Sequence, residues 1–455
     1  MRVSPGVIDD LRVVVVGAGF SGLAAASALA RAGARVRVLE ARDRVGGRVL
    51  THWLPDGTQL DLGAQWIGPT QDRMYALVAE HGLDTFASAA AGASTLLWAG
   101  QRRAEPPAEV GRVLDLLDAY ASRLDPVAPW RTSGAARWDR TLFGGWLRTT
   151  AGDADTADYL GRLLAGGLLA TGANEISLLH VLFYLRSGGG TRSLLGMAGS
   201  AQQDRIVGGP PALAERMAAA LPPGTLRLNA PVYAIGQDAH GVLVRTDTEG
   251  VEGDAVVVAL APALAGRIRY DPALPALRDG LTQRMPMGSA LKVHAVYPEP
   301  FWRADGLSGV ATSSVGPLTE TVDNSTPTSS RGVLTGFSYG TDAAALRAMS
   351  PQRRERSLLD AFATVVGPRA GDPVELIEYD WSADPWTRGC FCGAFTPGAW
   401  RSYGPWLRVP VGRVHWAGTE TATRWAGYLE GAVRAGERAA AEVLAGERAR
   451  PARSV

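Results

Sequence analysis

The run Leu11–Val16 leads without a break into Gly17-Ala18-Gly19-Phe20-Ser21-Gly22, and this junction constrains the fold more than any other stretch of the chain. The valine-rich run predicts a buried strand. The alanine-rich segment to Ala32 predicts a helix with Gly33 as its C-cap, and Arg35–Leu39 predicts a second strand ending at Glu40. In this context each glycine has its own task. Gly17 permits a tight turn, Gly19 lets backbone approach a pyrophosphate, and Gly22 lets the helix lie against the strand. The helix start, with Ser21 in its first turn, offers unpaired N–H groups and partial positive charge to phosphates. Glu40 stands eighteen residues after Gly22, where a carboxylate accepts hydrogen bonds from a ribose. A carboxylate there opposes a 2′-phosphate, which disfavours NADP and leaves NAD and FAD open.

At 455 residues the chain is too long for one simple core, so two or more domains are expected. Apolar content of 46% with 20% charged residues predicts an ordered protein, and a net charge of +1 with scattered arginines argues against nucleic acid as a partner. The apolar stretch from Leu11 to Ala30 carries three glycines and no basic leader, which reads against a signal peptide or a membrane anchor. Two cysteines, Cys390 and Cys392, rule out a disulfide-stapled fold, suit a reducing compartment and make no zinc site, so a cytoplasmic, metal-free protein is expected.

Lys292 is the only lysine, against forty-five arginines, and it lies in the apolar run Leu291–Tyr297. Lysine surrenders its proton on burial far more readily than arginine. Codon bias explains the scarcity of lysine, while burial in a strand suggests chemistry that arginine cannot perform. Two roles follow for Lys292: a buried amine at a reactive centre, or a lysine snorkelling from a sheet edge.

Past Glu40 the chain continues Ala41-Arg42-Asp43-Arg44-Val45-Gly46-Gly47-Arg48, a second glycine turn with three arginines. Near the C-terminus comes Val414-His415-Trp416-Ala417-Gly418-Thr419-Glu420, followed by Thr421 to Ala432 with Gly427, Tyr428 and Leu429. Between them lie Asp61 to Gln71 with Gln65 and Trp66, Arg205 to Gly209, Ala230-Pro231-Val232, and the buried run Asp254 to Pro262. Together these segments resemble the flavin-dependent amine oxidases, and most closely the monoamine and putrescine oxidase branch. The resemblance runs from Arg12 to about Glu447.

It implies FAD, held by Gly17, Gly19, Ser21, Gly22, Glu40, Arg42, Gly47, Arg48, Gln65, Trp66, Val232, Cys390, Gly418, Glu420, Gly427, Tyr428 and Leu429. It places Lys292 where relatives hold a water against the flavin N5, with Trp381 packed beside it. Phe391 and Tyr428 match two rings that guide the amine nitrogen; monoamine oxidases carry tyrosine at the first position and some polyamine oxidases phenylalanine. Cys390 falls where mammalian monoamine oxidases bear a thioether to the flavin, and relatives without that link leave covalency open. Tyr184, Leu195 and Gln202 fall near cavity-lining positions, and Gln65 is a candidate hydrogen-bond partner for substrate.

The expected fold is α/β: a Rossmann-type FAD-binding domain (1–85, 207–281 and 384–447) interleaved with an α+β substrate domain, a sheet flanked by helices (86–206 and 282–383), and a polar tail (448–455). The segment from Thr85 to Ala201 reads as broken helices, and Ser308 to Ser330 as a loop or weak strand region. The expected activity is oxidation of a primary amine bearing an apolar or aromatic group to an imine, with dioxygen reduced to hydrogen peroxide and the imine hydrolysing to aldehyde and ammonia. Few charged residues map to the supposed cavity, which favours such an amine over a long polyamine. The expected partners are the amine, dioxygen and a second copy of the chain, with neither nucleic acid nor membrane. An L-amino-acid oxidase, a flavin desaturase of natural-product tailoring, and a non-catalytic flavoprotein sensor are the alternatives.

Overall fold

A computed structural model describes residues 10–448, so the tail assigned to 448–455 lies outside the described residues apart from Arg448. Strand β1 (Arg12–Val16), helix α1 (Phe20–Arg31) and strand β2 (Arg35–Leu39) form as the glycine spacing requires. β1 pairs in parallel with β2 on one side and with Ala255–Val258 on the other. Leu226–Arg227 and Val414–Trp416 complete this five-stranded parallel sheet at its two edges. Val13 to Val16 are buried on both faces, which is why β1 reads as a continuous apolar run rather than an alternating one.

Close helix packing depends on the glycines. A Cβ on Gly22 would lie 1.8 Å from the Gly17 carbonyl oxygen, and one on Gly436 would lie 2.0 Å from the Ser21 carbonyl oxygen. The first contact seats α1 on its turn, and the second seats the C-terminal helix Leu429–Arg448 on α1.

A second sheet has seven strands, in the spatial order Glu375–Tyr379, Ala290–Tyr297, Gly332–Tyr339, Glu320–Asp323, Leu307–Ser313, Ala93–Trp98 and Gln101–Arg103. One sequence expectation is sharpened here and another corrected. The segment Ser308 to Ser330 is part strand and part loop: it supplies two ladder strands, Leu307–Ser313 and Glu320–Asp323, with loop between and after them. Thr85 to Ala201 is not all helix, because Ala93–Trp98 and Gln101–Arg103 extend the same sheet. Thr85–Ala87 is a further strand, and from Ala108 onward the segment is mainly helical and buries a core around Leu178–Ser187. One of its turns, Gly161–Gly166, is a π-helix.

The lysine strand, Ala290–Tyr297, lies inside the sheet, paired to Gly332–Tyr339 on one side and Glu375–Tyr379 on the other, with all eight residues buried. Lys292 is 6% exposed, so the sheet-edge role fails. Among the described residues no helix is long and apolar enough to cross a membrane.

Candidate active site

One cavity of about 580 Å³ runs from the β1–α1 turn to the face of the seven-stranded sheet. At the first end Gly17 has φ +96°, and a Cβ on Gly47 would come within 3.3 Å of the Gly19 Cα. Two glycine turns therefore meet face to face and line this end of the cavity with backbone free of side chains. The Glu40 carboxylate ties the turn together, accepting the Ala18 N–H at 2.7 Å and the Arg42 N–H at 3.0 Å. Arg42 reaches Asp384 at 2.6 Å and also Thr387, while its buried Nε–H is left without a protein partner. Ser21 Oγ accepts the Gly418 N–H at 2.8 Å, which joins the turn to the C-terminal signature.

Farther along, Arg48 donates to the Phe391 carbonyl at 2.6 Å and to Glu420 at 2.7 Å. Burial works against its charge, but Glu420 outweighs burial and holds the guanidinium protonated. Phe391 has φ +55°, a left-handed backbone that Arg48 steadies through that carbonyl. Its ring meets Tyr339 edge-on at 5.6 Å, and Tyr428 packs on Trp425 at 5.0 Å and Tyr184 at 6.1 Å.

Lys292 lines the cavity from the seven-stranded sheet. Its Nζ donates to the Asp61 carbonyl, to the Gly63 carbonyl at 3.0 Å and to Gln65 Oε1 at 2.5 Å. Three acceptors match the three N–H groups of an ammonium, whereas burial pushes the pKa down to about 7. The aromatic faces of Trp66 at 5.8 Å and Phe337 at 5.5 Å complete its surroundings. Trp381 donates from Nε1 to the Leu62 carbonyl at 2.9 Å, which pins the segment carrying those acceptors.

Most of the residues singled out from sequence line this cavity: Gly17, Gly19, Ser21, Glu40, Arg42, Gly47, Arg48, Gln65, Trp66, Val232, Lys292, Trp381, Cys390, Phe391, Gly418, Gly427, Tyr428 and Leu429, together with Tyr184 and Gln202. Three do not. Gly22 is enclosed in helix packing, and Glu420 lies behind Arg48, where it also accepts the Gly393 N–H at 3.1 Å. Leu195 is half-buried against the helical core. Gln65 reaches the cavity wall with its amide already engaged, since Nε2 donates to Asn324 Oδ1 at 2.8 Å while Oε1 receives Lys292. Burial pushes the Cys390 thiol up to about 12, so it is a thiol rather than a thiolate at neutral pH.

One lining residue that can carry charge was not singled out from sequence. Glu320 lines the sheet end, receives the Tyr339 hydroxyl, and has its pKa raised by burial. Sequence did not point to it, because it lies in the segment read only as a loop or weak strand region. Lys292, Phe337 and Glu320 are cross-strand neighbours in one row, two strand spacings or roughly 10 Å from end to end.

The family model for flavin containing amine oxidoreductases matches residues 20–444. The chain belongs to that family. Its cofactor is FAD, and its activity is the oxidation of an amine. The chain is 35% identical to amine oxidase [flavin-containing] B of Sus scrofa over 447 residues, which is 95% of this chain and 86% of the relative. Among solved structures, putrescine oxidase bound to putrescine aligns with a TM-score of 0.92 at 36% identity, covering 96% of this chain and 99% of that one. Cyclohexylamine oxidase from Brevibacterium oxydans aligns with the same score at 35% identity and the same coverage. The amine oxidoreductase fold thus brings a glycine cradle, an unpartnered arginine donor and an aromatic end into one continuous cavity. These residues fit a dinucleotide flavin: a glycine cradle and the unpartnered Arg42 Nε–H for phosphates at one end, and an aromatic chamber for the ring at the other.

Proposed function

We propose that the chain oxidises a primary amine to its imine at the aromatic end of this cavity, dioxygen becoming hydrogen peroxide and the imine hydrolysing to aldehyde and ammonia. The observation that carries the reading is that Lys292, Phe391 and Tyr428 share one cavity with the glycine cradle. When bound, FAD supplies the two-electron acceptor for the hydrogen leaving the amine Cα.

The cradle residues Gly17, Gly19, Gly47 and Arg42 would hold the pyrophosphate, with Glu40 fixing the turn and facing the ribose. Phe391 and Tyr428 would orient the amine nitrogen through their ring faces and exclude water. Lys292, balanced between three acceptors and burial, would hold or release a proton at Nζ near neutral pH. The division into FAD-binding segments (1–85, 207–281 and 384–447) and substrate segments (86–206 and 282–383) is part of this reading, as is a cytoplasmic setting, which two buried free cysteines suit. Arg42 and Arg267 line the cradle side, and Arg48 is committed to Glu420 and Phe391, so among the described residues no arginine awaits a substrate carboxylate at the aromatic end. That argues against an amino-acid oxidase.

Glu320 favours a narrower second reading, in which the amine carries another ammonium at its far end. Its strand position lies two strand spacings, roughly 10 Å, from that of Lys292 on the same row of the sheet, a scale suited to a short diamine. Peroxide release from butane-α,ω-diamine and n-butylamine tests both readings. No turnover on any amine refutes the first. Equal kcat/KM for the two amines, unchanged in Glu320→Gln, refutes the second.

A further inference from the structure

A second cavity of about 290 Å³ adjoins the first, and neighbouring residues of three chain segments face opposite sides of the wall between them. Gly167 lines the amine cavity and Gly166 the second one. Glu320 lines the first and Thr319 the second. Tyr339 lines both, and Gly340 only the second. The partition is therefore one residue thick at each of these places.

The π-helical turn Gly161–Gly166 brings the backbone close enough for this. A Cβ on Gly166 would lie 3.3 Å from the Tyr339 Cβ, and one on Gly167 would lie 3.8 Å from Glu320 Oε1. The Tyr339 ring fills what remains, stacked on Phe337 at 6.0 Å and meeting Phe391 edge-on, with its hydroxyl bound to Glu320. The two chambers differ chemically. The amine cavity is apolar and aromatic at this end, whereas the second is lined by Arg148, Asp158, Thr171, Asn174, Ser314 and the Arg162–Asp342 pair. Two arginines and two aspartates balance there, so the chamber suits a hydrated polar chain end without demanding one sign of charge.

We infer that Tyr339 is a specificity-determining residue: its ring is the stop that limits amine length, and the polar chamber behind it is a latent subsite for the distal end of a longer amine. This rests on the reading of the first cavity as the amine site. A chain that outgrows the distance to Glu320 meets the ring and has nowhere to go. Removing the ring joins the chambers and gives the distal group a polar destination.

The test measures kcat/KM for peroxide release by the holoenzyme along two series: butane-, hexane-, octane- and decane-α,ω-diamines, and the matching n-alkylamines. In the wild type, activity falls sharply beyond one chain length in both series. Tyr339→Ala moves that cut-off to longer chains and raises the octane-to-butane ratio about tenfold or more, the scale of discrimination that a few methylenes provide. Tyr339→Phe keeps the wall and therefore the cut-off, although it loses the hydroxyl bond to Glu320. Thr341→Trp added to Tyr339→Ala refills the second chamber and restores the wild-type limit.

Tyr339→Leu retains apolar bulk against Gly166 and gives a smaller shift in the same direction, which keeps the test decisive if the alanine variant fails to hold flavin. An unmoved cut-off in a flavin-loaded Ala or Leu variant overturns the inference. The n-alkylamines carry no second cation, so their cut-off reports on the wall alone. Failure of the Glu320 reading appears separately, as a wild type indifferent to the second ammonium.

Discussion

Replacing Lys292 by methionine should change the pH dependence of stability in a calculable way. Burial lowers the lysine pKa from 10.5 to about 7, so the folded protein disfavours the charged form that the unfolded chain holds up to pH 10 or so. Between these two values the unfolded state binds more protons, and stability rises with pH. The cost of folding around this lysine is therefore complete below pH 7 and fades as the pH climbs towards 10.5. At 1.36 kcal/mol per pH unit it amounts to about 4–5 kcal/mol near pH 6.5 and about 2 kcal/mol near pH 9.

Methionine has similar length and no titration, and it removes this cost at every pH. It also leaves the Asp61 and Gly63 carbonyls and Gln65 Oε1 without their donor, a loss that does not vary with pH. The difference in unfolding free energy between Lys292→Met and wild type should thus shift by about 2–3 kcal/mol in favour of the variant on going from pH 9 to pH 6.5. Denaturant titrations of both holoenzymes at several pH values between 6.5 and 9 measure it, and the subtraction cancels every other titrating group. A flat difference across that range would mean that Lys292 stays charged in the fold, secured by its three acceptors, and would refute the burial argument. The same variant should reoxidise reduced flavin slowly while still binding FAD, as stopped-flow absorbance would show.

Gly22→Ala should give protein with little bound flavin and stability lowered by more than about 2 kcal/mol, because its Cβ would fall 1.8 Å from the Gly17 carbonyl oxygen and force α1 off its turn. Flavin absorbance per protein after purification reports this, and a fully yellow variant would contradict it. Acid precipitation should leave a yellow pellet if Cys390, which lines the cavity beside Phe391, carries a thioether to the flavin, a link that the family resemblance leaves open; colour released to the supernatant excludes it.

The cofactor half of the site was legible in sequence because its determinants are local. A turn that needs φ +96° at Gly17, and a helix that tolerates no side chain at Gly22, leave their mark within six consecutive residues. The substrate half was less legible. Glu320 sits in a four-residue strand within a Ser/Thr/Gly/Pro-rich segment that sequence left as loop or weak strand, and it reaches the cavity only because that strand docks two places from the lysine strand. Glu420 looked like a flavin contact, yet it serves Arg48, since pairing a buried guanidinium outweighs facing the cavity. Gln65 likewise was spent on Lys292 and Asn324 rather than left for substrate.

Sequence by itself determined the nucleotide-binding turn, the family, and the few residues with chemistry worth placing, since backbone geometry and residue scarcity are written into short stretches. Tertiary structure alone decided that the single lysine is interior rather than at a sheet edge, that a carboxyl shares its row, and that one tyrosine ring separates two cavities. These depend on strand order and on contacts between segments distant in sequence, and no local pattern encodes which strand lies beside which.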